Sequence, residues 1–497
     1  MAPVAAEVRG ATPPPAAERT PQPKSASWRI TARVVISLLL GGALPVVMLG
    51  PTSQSFSPAF FVQCLVIFHA AVGLSLVLTA RQIRIVQFGF WTFTYVWMGL
   101  APLAMLITGR FPWALFVDLD TAFRASTIIE LGLLAYTVGV VLAQRSPKPT
   151  VDRLLPRALS RQFDSTKVVA LAVLAVGISL VLLPRLGGLE AAFDTRVGAG
   201  DARSTLKEGV ENSNFQLMRW AILVSIFWSM VALFRLRPLR SAPHIGLLLS
   251  MLLAAAVAMN VILNNPISMP RYWAGTVWLT LLFSLPLLRR VGPFRGAAAA
   301  VLLSAAVLFP YSDYFRYEET DIRIASVADQ LSRNGDYDAY QQLGIGLYMV
   351  DDLGHSPSQA LVVPFAWVPR SSWEGKPEAL GQTIAAYAGY DFTNLSAPLW
   401  IESYVWGGFP VLVAVFVGLG WLSARLDQIS WAVRHRDLAI AGCLIPALAI
   451  FQIFLLRGSL LPAIAPLALI ITVPFLISSR PDEPSLSDHP PNAGNPS

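Results

Sequence analysis

The chain has 497 residues, 55% of them hydrophobic and only 13% charged, with a mean hydropathy of +0.56; a soluble domain carries roughly twice that share of charge. These figures exclude a soluble globular protein and point to an all-α polytopic membrane protein. The net charge of +7 is of the kind that collects beside membrane spans, and no basic helix or RNA-type aromatic motif accompanies it, so no nucleic-acid partner is expected.

Residues 1–28 are rich in Ala and Pro and lack an apolar core, the composition of a disordered tail. Apolar runs long enough to cross hydrocarbon follow near 30–50, 57–79, 86–108, 125–144, 166–184, 217–236, 244–264, 272–288, 294–309, 399–422, 438–456 and 459–478. The first is too long for a signal-peptide core and reads as a retained span. Roughly twelve spans result, nine in residues 29–309 and three in 399–480, separated by one large loop at 310–398. Residues 481–497 form a second polar tail. Cys64 and Cys443 fall inside apolar runs and read as core hydrophobes rather than a disulfide.

An even count places both termini on one side. With that side inside, the inner loops are 81–84, 145–167, 235–240, 289–295 and 425–436, and each is rich in Arg or Lys, as the positive-inside rule requires. Residues 310–398 then face outward. Within them Ile324, Val327 and Leu331, then Tyr340, Leu343, Leu347 and Val350, recur at helical spacing. The pattern suits short amphipathic helices that either lie on the outer leaflet or pack over the spans.

The same topology sends several cations to the outer face, where the rule disfavours them. Arg185 and Arg196 lie in one outer loop, Arg271 at a span entrance, Arg370 and Lys376 in the large loop, and Arg457 before Gly458 in the last turn. Arginine binds phosphate through a planar two-pronged fork and stays charged, so cations gathered at one membrane boundary suit a diphosphate on a long lipid. Snorkelling to head groups is the other explanation for each taken singly.

Among the acids, Glu402 lies just inside the tenth span, where it is either a general base or an arginine's partner. Glu374 sits between Arg370 and Lys376. Asp118 and Asp120 are either a divalent-metal pair or a solvated turn. His355 is the only histidine of the large loop. No zinc spacing, phosphate-cradling glycine loop or Ser/His/Asp arrangement is present.

Several stretches recur in a known order: Gly187-Gly188 with Arg196; Asn265-Pro266 before Arg271-Tyr272; Gly335-Asp336-Tyr337-Asp338-Ala339-Tyr340-Gln341; Pro369-Arg370-Ser371 with Trp373, Lys376-Pro377 and Gly381; Glu402-Ser403-Tyr404 with Gly407-Gly408; and Arg457-Gly458. In this set, spanning residues 165–475, the chain resembles the oligosaccharide repeat-unit polymerases of bacterial surface polysaccharides, the O-antigen or Wzy-type polymerases. The resemblance implies an inverting, metal-independent, cofactor-free glycosyltransferase in the bacterial cytoplasmic membrane. Its partners would be a polyprenyl-diphosphate-linked oligosaccharide donor and acceptor, membrane lipid and a chain-length regulator. Arg196, Arg271, Arg370, Lys376 and Arg457 would hold diphosphate, with Arg370 also catalytic and Glu402 the base. Three alternatives stand beside it. One is an O-antigen ligase, which uses a histidine-bearing loop motif that His355 does not reproduce. Another is a metal-dependent polyprenyl-phosphate-sugar transferase working through Asp118 and Asp120. The last is a lipid-oligosaccharide flippase, which would want polar groups buried through the spans.

Overall fold

The structure is a computed structural model that describes residues 26–50, 56–147, 154–184, 188–194, 212–236, 243–311, 326–368, 372–393, 395–436 and 438–480. Arg185, Arg196, Ile324, Arg370 and most of both tails lie outside these residues. The first membrane-length helix starts at Ser27, inside the stretch expected to be a tail.

In chain order the bundle begins with α1 (Ser27–Leu49), α2 (Pro58–Leu78), α3 (Ile85–Thr108), α4 (Leu119–Arg145), α5 (Ser165–Leu182), α6 (Leu217–Leu236) and α7 (Gly246–Leu263). Next come α8 (Arg271–Phe283) and α9 (Val291–Tyr311). The large loop supplies α10 (Val327–Arg333), α11 (Ala339–Leu353) and α12 (Leu380–Tyr387). The chain then runs through α13 (Leu399–Ala432), α14 (Ala441–Arg457) and α15 (Leu460–Leu476). Polar caps set several starts: Ser57 accepts from the Phe60 amide before α2, and Asp164 accepts from the Thr166 and Lys167 amides before α5.

Among the described residues nine helices are long and apolar enough to cross a bilayer, namely α1 to α7, α9 and α13. The expected count of twelve is therefore not reproduced. Helix α8 has 13 residues, and α14 and α15 have 17 each. The apolar run of α8 is cut at Ser284, because Pro286 supplies no amide and restricts Leu285, and the chain turns through a 3-10 segment at Pro286–Arg289. On the face opposite the large loop, Gln162–Phe163 pairs antiparallel with Ser478–Ser479.

Helices α4 and α13 make the closest contact in the bundle. A Cβ on Gly420 would stand 2.0 Å from the Tyr136 carbonyl oxygen, and one on Gly139 2.0 Å from that of Val417. Backbones this near leave no room for a methyl group, the use small residues commonly serve between membrane helices. Gly420→Ala is expected to cost about 1–3 kcal/mol through overpacking, read as earlier thermal aggregation in detergent. Gly418→Ala, with nothing within 4 Å of its Cβ, is the control and should leave the transition unmoved.

Helix α13 is not straight. Gly407 and Gly408 have non-helical dihedrals, and Gly408 takes the left-handed φ of 68° that favours glycine. The chain doubles back there. Trp400 and Phe416 have ring centroids 4.5 Å apart, whereas sixteen residues of straight helix would separate them by about 24 Å. Residues 399–406 are thus a short re-entrant helix packed against the main limb. Two carbonyls freed by the break find partners in the large loop: His355 Nδ1 donates to Tyr404 O at 3.0 Å and the Ser356 amide to Val405 O at 2.8 Å. This meets the demand that backbone groups at such a level be satisfied, and it gives His355 a structural duty.

Helix α11 enters the bundle rather than lying on a leaflet. Tyr340, Leu343 and Leu347 are fully buried, and the Tyr340 hydroxyl donates to Ala122 O. Ser126 joins this hydroxyl to Gln63, whose amide donates to Met98 O and Gly99 O. Those two carbonyls belong to a π-helical stretch, Thr94–Leu100, inside α3, where the regular ladder leaves acceptors to be met by side chains.

Candidate functional site

The turn before α11, at Asn334, Gly335 and Asp336, forms the floor of a cavity of about 2060 Å³. Arg271 opens α8, where the positive end of the helix dipole disfavours a cation, so its place is not explained by helix stability. Its guanidinium donates to Asp336 Oδ2 at 2.6 Å and lies 5.3 Å from the centre of the Phe309 ring. Arg457 closes α14, where a cation suits the dipole. It donates to Gly335 O at 2.9 Å and Asp338 Oδ1 at 3.1 Å, and stands 3.9 Å from Asp336. Tyr272 and Phe454 stack at 3.9 Å and lock the two helix ends together.

The turn Asn334-Gly335-Asp336-Tyr337-Asp338 is held from several sides. Asn334 accepts from the Asp336 amide, Trp97 Nε1 donates to Asp336 O, and a Cβ on Gly335 would strike the Trp113 ring at 2.8 Å. Its two carboxylates differ. The Asp338 side chain is 1% exposed and saturated by Arg457, Trp113 Nε1 and the Ser396 hydroxyl. Asp336 is 22% exposed and lines the cavity beside Arg271 and Arg457. Neither acid stands out in the sequence as a functional group; the signal for them is a pair of carboxylates in the same outer segment as cations that need a counter-charge.

Behind this charged floor one wall is apolar. Gly275, Leu279 and Leu282 on α8, with Ala297 and Val301 on α9 and Ile453 on α14, line this side, while Arg110, Asp329 and Arg333 add charge at another part of the lining. The spacing is one helix face in each case. From Arg271 to Leu282 that face runs about 17 Å.

Of the other anticipated residues, Arg196 and Arg370 lie outside the described residues, and Glu402, Lys376, Asp118 and Asp120 are not part of the cavity lining. Glu402 is 4% exposed on the re-entrant helix. Its Oε1 accepts from the Leu460 amide at 3.0 Å, its Oε2 is buried with no hydrogen-bond partner among the described residues, and it is not among the lining residues. It caps α15 and so fixes the Arg457–Ser459 turn, whose Ser459 hydroxyl accepts from the Gly381 amide. Lys376 donates to Ala366 O and Val368 O, at 2.7 and 2.8 Å, and closes its own loop. Asp118 caps α4 through the Asp120 and Thr121 amides.

A second polar cluster pins the large loop over α4. The Tyr348 hydroxyl donates to Asp118, and with the Thr121 amide it holds that carboxyl below the usual range. Arg124 grips Asp351 with both prongs, at 2.6 and 2.9 Å, and lowers its pKa likewise. Tyr387 donates to Asp352, which pushes the phenol up to about 12. Lowered carboxyls stabilise the tie above their ordinary titration range, and that contribution is lost only as pH falls through the depressed values.

Fold and site together define an α-helical multi-pass membrane protein with a recessed arginine–aspartate cluster at the head of an apolar crevice. The chain matches no protein-family model, no curated protein and no solved structure.

Proposed function

We propose that the protein is an inverting, metal-independent membrane glycosyltransferase that polymerises polyprenyl-diphosphate-linked oligosaccharide repeat units into a surface polysaccharide. The observation that carries this reading is the joining of Arg271 and Arg457, from distant helix ends, at the head of a long apolar crevice. A diphosphate on a prenyl chain has that shape and polarity: a compact anion followed by hydrocarbon. The loop-bearing face is the outer one and both termini are cytoplasmic, because the opposite loops collect the cations.

In the reaction an acceptor hydroxyl oxygen forms a bond to the donor sugar's anomeric carbon. The bond from that carbon to the diphosphate oxygen breaks, and its electron pair leaves with the diphosphate. Fixed guanidinium groups stabilise this growing charge, and a carboxylate takes the hydroxyl proton. Asp336 borders the space where this happens, whereas Glu402 sits behind the wall. In the resting site Asp336 neutralises Arg271; a diphosphate competing for that guanidinium releases the carboxylate for proton transfer. Arg370 and Arg196 retain their proposed place as further diphosphate ligands.

The test is purified protein in lipid nanodiscs given lipid-linked repeat unit, with and without chelator. A product ladder that survives chelation is expected. A ladder restored only by metal points to the Asp118 and Asp120 alternative, single transfer to an unrelated acceptor to a ligase, and movement of substrate without new glycosidic bonds to a transporter.

A further inference from the structure

Residues 353–368 carry four large apolar side chains left exposed among the described residues: Leu353 at 72% exposure, Leu361 at 55%, Phe365 at 47% and Trp367 at 78%. Beneath them Val362 packs inward at 2%. The segment is fixed in height by bonds already described, since His355 and Ser356 hold the carbonyls of Tyr404 and Val405 at the break in α13. Phe409, immediately past that break, is itself 48% exposed, and α13 goes on to expose Trp421 and Leu422. Exposed apolar surface therefore passes from a membrane-crossing helix to this segment at one level.

We infer that residues 353–368 are an interfacial anchor that seats Leu361, Phe365 and Trp367 at the boundary between head groups and acyl chains of the leaflet on the loop-bearing face. Two features make lipid the occupant. No acid occurs in the sequence between Asp352 and Glu374, and Lys376 adds positive charge two residues further on, a balance that suits phosphate head groups. Three of the tip's backbone acceptors are also met from within: Lys376 Nζ donates to Ala366 O and Val368 O, and the Val368 amide donates to Phe365 O. Unmet carbonyls would oppose entry into a low-dielectric layer; these are met. Trp and Phe beside cations at a boundary are the usual furniture of such a layer. Lys376, one of the cations anticipated as a diphosphate ligand, gains its role here. The same bonds couple the anchor to the re-entrant helix, so lipid contact steadies the break at Gly408.

The experiment uses the full chain in phosphatidylcholine–phosphatidylglycerol nanodiscs, with Cys64→Ser and Cys443→Ser as background. An environment-sensitive fluorophore is placed on Trp367→Cys, on Leu361→Cys and, as control, on exposed Glu374→Cys. Doxyl-labelled lipid is expected to quench positions 361 and 367 several-fold more than position 374, and aqueous iodide to show the reverse order. Iodide quenching at 361 and 367 equal to that at 374 overturns the anchor. Protection of both positions from both quenchers also overturns it, because protein, either a second copy or another partner, then covers the surface. Labelling two separate positions keeps the test decisive if one variant fails to fold.

Discussion

Arg457→Lys is expected to lower polymerisation by about a hundredfold or more, equivalent to about 3 kcal/mol of lost anion stabilisation, at equal membrane abundance. The guanidinium reaches Gly335 O, Asp338 and Asp336 from one planar group, and its buried Nε has no hydrogen-bond partner among the described residues. Lysine keeps the charge but not the fork: it has no second nitrogen to aim at a phosphate oxygen while the first, like Arg457 Nη2, stays on Gly335 O and Asp338. Arg271→Lys should behave alike. A snorkelling arginine forecasts the opposite, since lysine snorkels equally well. Because Arg457 also ties the Gly335–Asp338 turn, each variant is to be compared by thermal stability as well as rate. Near-normal rates for both lysine variants would remove the diphosphate clamp.

How much of this was legible in the sequence depends on which residues are asked. Hydropathy finds the long spans because one property, continuous apolarity over a helix's length, both defines the signal and drives insertion. It finds the span that begins at 399 but misses the break inside it for the same reason: an apolar run looks alike whether it crosses once or first doubles back. The Gly407-Gly408 pair, with Pro410 just after, was the local sign of the break. Likewise the helical spacing in 339–353 was real, but periodicity tells which side is apolar and not what covers it. In α11 the covering is other helices on almost every side, with even Gln341 and Gln342 buried. Arg271 and Arg457 were legible as cations in places that needed a reason; their meeting on one aspartate is a fact of three dimensions. Lys376 shared their charge and face yet bonds to its own loop's carbonyls, a difference no composition records.

Asp336→Asn separates the two carboxylates that compete for the role of base. Asparagine nearly matches the shape of aspartate and can accept one hydrogen bond from Arg271, so the floor of the cavity should persist. It cannot take a proton from the acceptor hydroxyl. Polymerisation is therefore expected to fall by about 10²–10⁴, the usual range for loss of a general base. Binding of the diphosphate-linked donor should hold or tighten, because Arg271 no longer has an ionic competitor. Glu402→Gln keeps a carbonyl oxygen for the Leu460 amide and should retain most of the rate. The contrast is the informative part. A dead Glu402→Gln with an active Asp336→Asn would assign the proton to the carboxylate behind the wall, and the wall would have to open during turnover. Weakened donor binding in Asp336→Asn would instead mean that the aspartate is needed to aim Arg271, with diphosphate joining the ion pair rather than displacing it.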